Sequence, residues 1–193
     1  KRSLRNRLGT MKHQRSIRII GGKWRGRKVS FINRHEIRPT GDRIRETLFN
    51  WLVSEINGAT CLDLFAGSGS LGIEALSRGA ATVTFVEDQR DIATNLEQNL
   101  IQLAADNFFI RNTDAVSYLN ETDLSFDLIF LDPPFDQGYL KQAIDIIARR
   151  RLSRGYIYVE SESDAVFTAL PDNCDIYRHK SAGRVTYGLI TIS

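Results

Sequence analysis

The chain reads as an α/β domain: a doubly wound, mostly parallel sheet that ends in an antiparallel hairpin and carries a basic N-terminal hairpin and arm. Three observations predict it. From Thr60 onward, short apolar runs alternate with stretches of helical periodicity, the pattern of parallel strands joined by crossover helices. The apolar run from Phe126 to Leu131 stops at Asp132-Pro133-Pro134-Phe135, as a buried strand stops at the carboxyl edge of a sheet. Charge is split along the chain. Residues 1–50 hold fifteen Lys/Arg against three acids, a net +12, and the other 143 residues hold eleven against twenty, a net −9.

Taken in order, residues 1–15 show no apolar periodicity and are expected to be flexible when free. Ile17 to Ile20, then Gly21-Gly22, then Lys23 to Val29 read as a basic hairpin with the glycine pair as its turn. Trp24, set among cations, can stack on a base or can anchor the hairpin on the body. Thr40 or Asp42 can cap the helix that follows, Asp42 matching the positive helix N-terminus. Ile44, Leu48, Trp51, Leu52 and Ile56 recur at helical spacing, and Asn57-Gly58 ends that helix. Arg43 and Arg45 on it point toward a ligand or toward water. These residues, 1–58, form an N-terminal extension, and residues 59–193 the main domain.

The main domain opens with a strand over 61–65, a tight glycine loop over 66–72 and a helix over 73–78 closed by Gly79. A second strand over 81–86 leads into Glu87 and Asp88. The helix over 91–103 carries Ile92, Leu96, Leu100 and Leu103 on one face. A third strand over 107–111 precedes Asp114 and a short helix. The fourth strand ends at Asp132. A helix over 139–150 and a fifth strand over 156–159 follow, the strand ending in Glu160. Residues 175–180 and 185–192, joined through Ser181-Ala182-Gly183, make the closing hairpin and bring the sheet to seven strands.

Composition narrows the classes. With 193 residues, 42% of them hydrophobic, the chain can bury the core of one domain with an appendage. It has no apolar run of membrane-spanning length and no signal-peptide core, which predicts a cytoplasmic protein with no membrane partner. Cys61 and Cys174 form neither a metal spacing nor a secreted disulfide framework. His13, His35 and His179 are scattered and make no triad, so no metal is expected. The basic block is the electrostatic footprint of a nucleic-acid partner; the bland alternative is a solvated tail that serves solubility.

The chemistry concentrates at the carboxyl ends of the predicted strands, where open α/β sheets hold ligands. Gly67-x-Gly69-x-x-Gly72 matches a dinucleotide fingerprint, a pattern that alone has many false positives. Glu87 lies twenty residues after Gly67, where a carboxylate can accept both hydroxyls of a ribose. Asp63 sits inside the first strand, Asp114 just past the third and Asp132 at the end of the fourth. Each acid singly can be a cap or turn residue. Together they repel a pyrophosphate and favour a cofactor with an ammonium and a sulfonium, such as S-adenosylmethionine. At Asp132, two prolines fix the backbone and donate nothing, while Phe135 offers a flat apolar face. That corner suits a planar group bearing an amine, such as a nucleobase.

Asp63-Leu64-Phe65-Ala66-Gly67-Ser68-Gly69 and Asp132-Pro133-Pro134-Phe135 resemble motifs I and IV of amino-group S-adenosylmethionine-dependent methyltransferases. Three further stretches narrow this: Gly21-Gly22-Lys23-Trp24-Arg25-Gly26-Arg27, Arg38-Pro39-Thr40-x-Asp42-Arg43-x-Arg45-Glu46-Thr47-Leu48-Phe49-Asn50 and Leu71-Gly72-Ile73-Glu74-Ala75-Leu76-Ser77-Arg78-Gly79-Ala80. With them, nearly the whole chain after Arg15 resembles the bacterial ribosomal small-subunit methyltransferase D family. The resemblance implies a Rossmann-like class I methyltransferase fold. It implies methylation of the exocyclic N2 of one guanine in 16S ribosomal RNA, by a monomer acting on the small ribosomal subunit or its assembly intermediate. The site residues implied on the catalytic side are Asp132, Pro133, Pro134 and Phe135. Those implied for the cofactor are Asp63, Phe65, Gly67, Gly69, Glu87, Asp88, Asp114 and Asp132. Lys23, Trp24, Arg25, Arg38, Thr40, Arg43 and Arg45 are implied for the RNA. Gly41 departs from the pattern, standing where many relatives carry a second Thr.

Methyl transfer to an exocyclic amine needs the nitrogen lone pair drawn out of the ring. Hydrogen bonds from the amine to the Asp132 carboxylate and the Pro133 carbonyl would do this, with Phe135 stacked on the base. A target guanine must be flipped out or already sit in a loop. A DNA adenine-N6 or cytosine-N4 amino-methyltransferase shares the Asp-Pro-Pro-Phe tetrad but normally needs a target-recognition insertion, for which this chain has no room. A nicotinamide dehydrogenase would set Asp63 and Asp132 beside a phosphate. A non-catalytic RNA-binding module would leave the Asp-Pro-Pro-Phe corner unexplained.

Overall fold

The computed structural model describes residues 14–32, 40–134 and 138–193. The arm expected over 1–15 lies almost entirely outside them, as do Arg38 and Phe135.

The described chain opens with two antiparallel strands, β1 (Gln14–Arg18) and β2 (Lys28–Ile32), with Arg18 opposite Lys28. The expected hairpin is there, but Gly21-Gly22 is not its two-residue turn. Residues 19–27 form a longer loop with a 3-10 turn over Gly22–Trp24, closed by hydrogen bonds from the Ile19 N–H to the Arg27 carbonyl and from the Gly26 N–H to the Ile19 carbonyl. Close approach explains the glycine: at Gly22 (φ +74°) a Cβ would lie 1.8 Å from the Ser77 carbonyl oxygen.

Helix α1 (Asp42–Trp51) buries Ile44, Leu48 and Phe49. Its N-cap is Gly41, and neither Thr40 nor Asp42 caps it through a side chain. It also stops at Leu52, short of Asn57-Gly58. Leu52 and Ile56 keep the apolar spacing because both fill the core, but they do so from turns.

The main sheet contains β3 (Thr60–Asp63), β4 (Thr82–Val86), β5 (Phe108–Arg111), β6 (Phe126–Leu131), β7 (Ser153–Ser161), β8 (Cys174–Ala182) and β9 (Val185–Ile192). Their order is β5-β4-β3-β6-β7-β9-β8. The first five are parallel, β9 is antiparallel to β7, and β8 is antiparallel to β9. The crossovers carry α2 (Ser70–Ser77), α3 (Arg90–Gln102), α4 (Ala115–Glu121) and α5 (Tyr139–Arg150). A short α6 (Ala165–Thr168), not foreseen from periodicity, follows β7. The first body strand ends at Asp63 rather than Phe65, and α2 begins inside the glycine loop, at Ser70.

Two cores flank the sheet. Leu128 and Phe130 of β6 face one, while Ile129 and Leu131 face the other, the period-two alternation of a doubly covered strand. The first core joins Ile17, Val29, Leu48, Phe49, Leu71 and Leu96, so the hairpin, α1, α2 and α3 share it. The second joins Leu119, Ile144, Ile147 and Phe167 from α4, α5 and α6. Each fully buried Leu, Ile or Phe contributes about 1.5–3 kcal/mol. The described part of the basic extension is therefore packed into the same core as the body. Among the described residues no helix is long and apolar enough to cross a membrane.

Candidate active site

Strand order reverses between β3 and β6: the chain leaves β3 toward β4 and β5, and leaves β6 toward β7. In open α/β sheets, ligands bind in the crevice outside such a switch point. Asp63, at the end of β3, is buried, and its Oδ2 accepts the Gly72 N–H at 2.9 Å. Burial pushes its carboxyl up to about 7, against the pull of that N–H. The contact pulls the first turn of α2 onto the sheet. It requires Gly72, because a Cβ there would lie 2.2 Å from the Phe85 ring. Glu87, just past β4, is also buried. Its Oε2 accepts the Gly67 N–H and its Oε1 the Gln89 N–H, both at 2.9 Å. Burial and neighbouring Asp88 raise its carboxyl to about 7 although both backbone donors lower it. Asp88 itself is exposed, and Phe65 is half-buried with its ring centroid 6.3 Å from that of Tyr139. Asp114 is exposed and caps α4: its Oδ1 accepts the Ser117 N–H at 2.9 Å, and hydrogen bonds from Ser117 hold its carboxyl below the usual range.

Asp132 follows β6, across the switch point. It is partly buried, with Pro133 buried and Pro134 exposed beside it. Its Oδ2 accepts a hydrogen bond from the Thr40 hydroxyl at 2.7 Å. Burial holds its carboxyl well above the usual range, Glu160 raises it further, Thr40 lowers it and Asp63 adds a smaller push upward. Leu131 pairs in parallel with Val159, so Asp132, just past β6, and Glu160, next to last in β7, stand at the same level of adjacent strands. Glu160 is buried and accepts the Tyr158 hydroxyl at 2.7 Å. A fifth acid thus joins the four expected from the sequence; its signal was the same, a carboxylate where a strand ends. A cavity of about 350 Å³ opens beside Pro133 and Pro134, walled by Tyr139, Ile144, Glu160 and Val166. It lies toward α5 and α6, and neither Asp63, Glu87 nor Thr40 lines it.

Comparison with known proteins shows the family. The family described as conserved hypothetical protein 95 matches residues 17–191. A protein of Escherichia coli (strain K12) named ribosomal RNA small subunit methyltransferase D is 45% identical over 175 residues, covering 90% of this chain and 88% of that protein. Its namesake from Haemophilus influenzae is 42% identical over 179 residues, covering 90% and 92%. A solved structure described as putative methyltransferase yhhF from Escherichia coli superposes with a TM-score of 0.83 at 43% identity, covering 92% of this chain and 98% of that one. The chain belongs to the ribosomal RNA small subunit methyltransferase D family.

Within the chain the N-terminal residues divide sharply. Lys23, Arg25 and Arg43 are exposed. Trp24 is not: only 6% of it is exposed, its backbone N–H donates to the Ser77 hydroxyl at 3.0 Å, and it anchors the hairpin rather than offering a face to a base. Arg45 also departs from expectation, pointing neither to RNA nor to water. It is 1% exposed, and its guanidinium meets Asp42 Oδ1 at 2.6 Å, the Arg18 carbonyl at 2.8 Å and Glu74 Oε2 at 3.6 Å. The cause is Glu74, fully buried in α2. It accepts the N–H groups of Ile20 at 2.9 Å and Gly21 at 2.7 Å, and pairs with Arg78 Nε at 2.7 Å. One short helix therefore holds the glycine loop at its start, through Asp63, and the basic hairpin at its end, through Glu74 and Ser77. An acid inside the apolar run Ile73-Glu74-Ala75-Leu76 was the available signal.

Cys61 is buried and burial pushes its thiol up, so it is no nucleophile.

Proposed function

We propose that this ribosomal RNA methyltransferase takes its methyl group from S-adenosylmethionine and delivers it to the exocyclic N2 amine of a guanine in 16S RNA of the small subunit. The observation that carries the reading is the cluster of carboxylates at the switch point. Asp63, Glu87 and Asp132 are all pushed up by burial, and Asp132 also by its acidic neighbours. Such a cluster fits a ligand that is cationic and rich in hydroxyls, and opposes a pyrophosphate. Glu87 would hold the ribose, since each of its oxygens keeps a lone pair beyond the backbone N–H it accepts. Asp63 would act through the loop, fixing Gly67 to Gly72 against the ligand. Asp88 and Asp114, both exposed, would form the outer rim.

Bound S-adenosylmethionine supplies an electrophilic methyl group. The chain's own part is to hold and aim the amine. Asp132 and the Pro133 carbonyl accept from the amino hydrogens, drawing the nitrogen lone pair out of conjugation with the ring. A nitrogen that gains a carbon must shed a proton, and the Asp132 carboxylate, made more basic by burial and by Glu160, receives it. Stacking on the base falls to Phe135. Lys23, Arg25 and Arg43 contact phosphates, which position the RNA without reading its sequence. Such a substrate would put the enzyme in the bacterial cytoplasm.

The test is transfer of labelled methyl from S-adenosylmethionine to naked 16S RNA, assembly particles and small subunits from a strain lacking the protein, followed by nucleoside analysis. N2-methylguanosine is the expected product. Label on an adenine or cytosine amine of DNA would install the DNA amino-methyltransferase reading in its place.

A further inference from the structure

We infer that Thr40 is a positioning residue for the transfer step: its hydroxyl pins one oxygen of Asp132 and leaves the other to the amine. The inference rests on the role proposed above for Asp132.

A hydroxyl immediately before a helix normally caps it. Thr40 precedes α1, yet the cap is Gly41, whose carbonyl takes the N–H groups of Ile44 and Arg45. The Thr40 hydroxyl turns away from its own helix and donates to Asp132 Oδ2 at 2.7 Å, across 92 residues of sequence. That length is typical of a hydrogen bond to a charged acceptor. Thr40 is 3% exposed, so its hydroxyl is committed inward and is not presented to RNA. Both ends of the bond are on rigid supports. Phe49 of α1 packs on Phe130 of β6 with ring centroids 6.0 Å apart, and Phe130 stands two residues before Asp132. A β-branched donor has few rotamers, whereas the terminal torsion of an aspartate is broad and needs an anchor.

The electrostatics point the same way. Asp132 faces Glu160 at the end of β7 and Asp63 at the end of β3, and both favour its protonated form. Tyr158, also on β7, directs its hydroxyl to Glu160. Thr40 is the donor that favours the charged form of Asp132. A protonated Asp132 would carry a hydrogen where the amine needs an acceptor, so the Thr40 bond both aims the carboxylate and opposes its protonation against the push of burial and Glu160.

The experiment is a pH series of methyl transfer by the full chain on unmethylated small-subunit particles, comparing wild type with Thr40→Val, Thr40→Ser and Asp132→Asn. Thr40→Val is expected to lower kcat at neutral pH by about tenfold or more, the factor for losing a hydrogen bond to a charged group. It should move the acid limb of the profile upward by about one pH unit. KM for the particle and affinity for S-adenosylmethionine should stay near wild type, and Thr40→Ser should recover most of the rate and the original limb. If Thr40→Val proves poorly folded, Thr40→Ala gives the same readout. An acid limb that stays at the wild-type pH in the folded variants overturns the inference, whatever the rate, because a merely structural threonine would not set it. A raised KM with unchanged kcat overturns it in favour of an RNA contact. Asp132→Asn with full turnover would remove the parent reading of the site. An inactive Asp132→Asn beside an unmoved Thr40→Val limb sinks this inference alone.

Discussion

Asp63 and Asp132 end neighbouring strands and are both pushed up by burial, but they are held by different kinds of partner. Asp63 is fixed by a backbone N–H nine residues along the chain, and Glu87 by those of Gly67 and Gln89. Asp132 is fixed by a side chain 92 residues away. The half proposed for the cofactor is thus a local object, built by one β–loop–α unit and the next strand. The half proposed for the amine takes its anchor from Thr40, before α1. One half is secured by the backbone and the other by tertiary packing, so the second is the more easily broken.

The largest break is expected at Asp132. Asp132→Ala should cut methyl transfer by about 10²–10⁴-fold, the usual worth of a positioned acid–base group, while affinity for S-adenosylmethionine survives within about tenfold. Single-turnover kinetics and calorimetry separate the two quantities. Turnover like wild type would place the chemistry elsewhere.

Next in size is the joint between the two halves. Glu74 is buried against Arg45 and Arg78 and takes two backbone N–H groups of the hairpin loop. Removing one partner of a buried pair typically costs about 3–5 kcal/mol, because the charges left behind remain buried. Glu74→Ala should lose stability on that scale in chemical denaturation. A loss under about 1 kcal/mol would match an exposed pair and would mean that the hairpin is held by apolar packing alone.

How much of this was legible in the sequence follows the same division. The glycine loop, Asp63 and Glu87 could be read because their partners lie within one repeat of the strand–helix pattern. Asp132 could be read because a strand stopped at an acid followed by prolines. Thr40 was assigned to a cap or to RNA, since nothing local announces a partner 92 residues away. Arg45 reads in sequence as a cation facing RNA or water because helical spacing counts apolar residues and says little about a charge that meets a buried acid. Ile56 kept the helical spacing from a turn, which shows that burial can reproduce a period without the helix.

Smaller effects sharpen the cofactor half. Glu87→Ala should weaken S-adenosylmethionine binding by roughly 1.5–3 kcal/mol, the loss of a charged acceptor. Its titration gives a second check. Asp63 and Glu87 titrate near about 7 in the folded chain, above 3.8 and 4.5 for the unconstrained groups. Between those values the folded chain keeps protons that the unfolded chain has already released. Ligand-free protein should therefore lose the stability these groups contribute as pH rises through that window. A cationic ligand favours the charged forms and should flatten the loss. Thermal melts across the window, with and without S-adenosylmethionine, test this. A Glu87→Gln variant that follows the wild-type slope in both series would take Glu87 out of the account.

The smallest effect belongs to the exposed cations and turns on two arginines one residue apart. Arg43 is exposed on α1 and Arg45 is buried beneath it. If the extension grips RNA through phosphates, Arg43→Ala should leave the melting temperature unchanged. It should lower RNA affinity a few-fold and reduce the slope of log affinity against log salt by about one, the signature of one lost phosphate contact. Arg45→Ala should do the reverse, lowering stability because Glu74 loses a buried partner, and leaving the salt slope of the folded fraction as it was. Filter binding across salt, with a melt on each variant, reads both quantities. Equal changes in salt slope would mean that Arg45 reaches RNA despite its burial. No change for Arg43 would move the RNA grip to the hairpin cations Lys23 and Arg25 or to cations outside the described residues, Arg38 among them. The two variants together therefore separate the charge of the extension, proposed to serve the RNA, from its packing against α2.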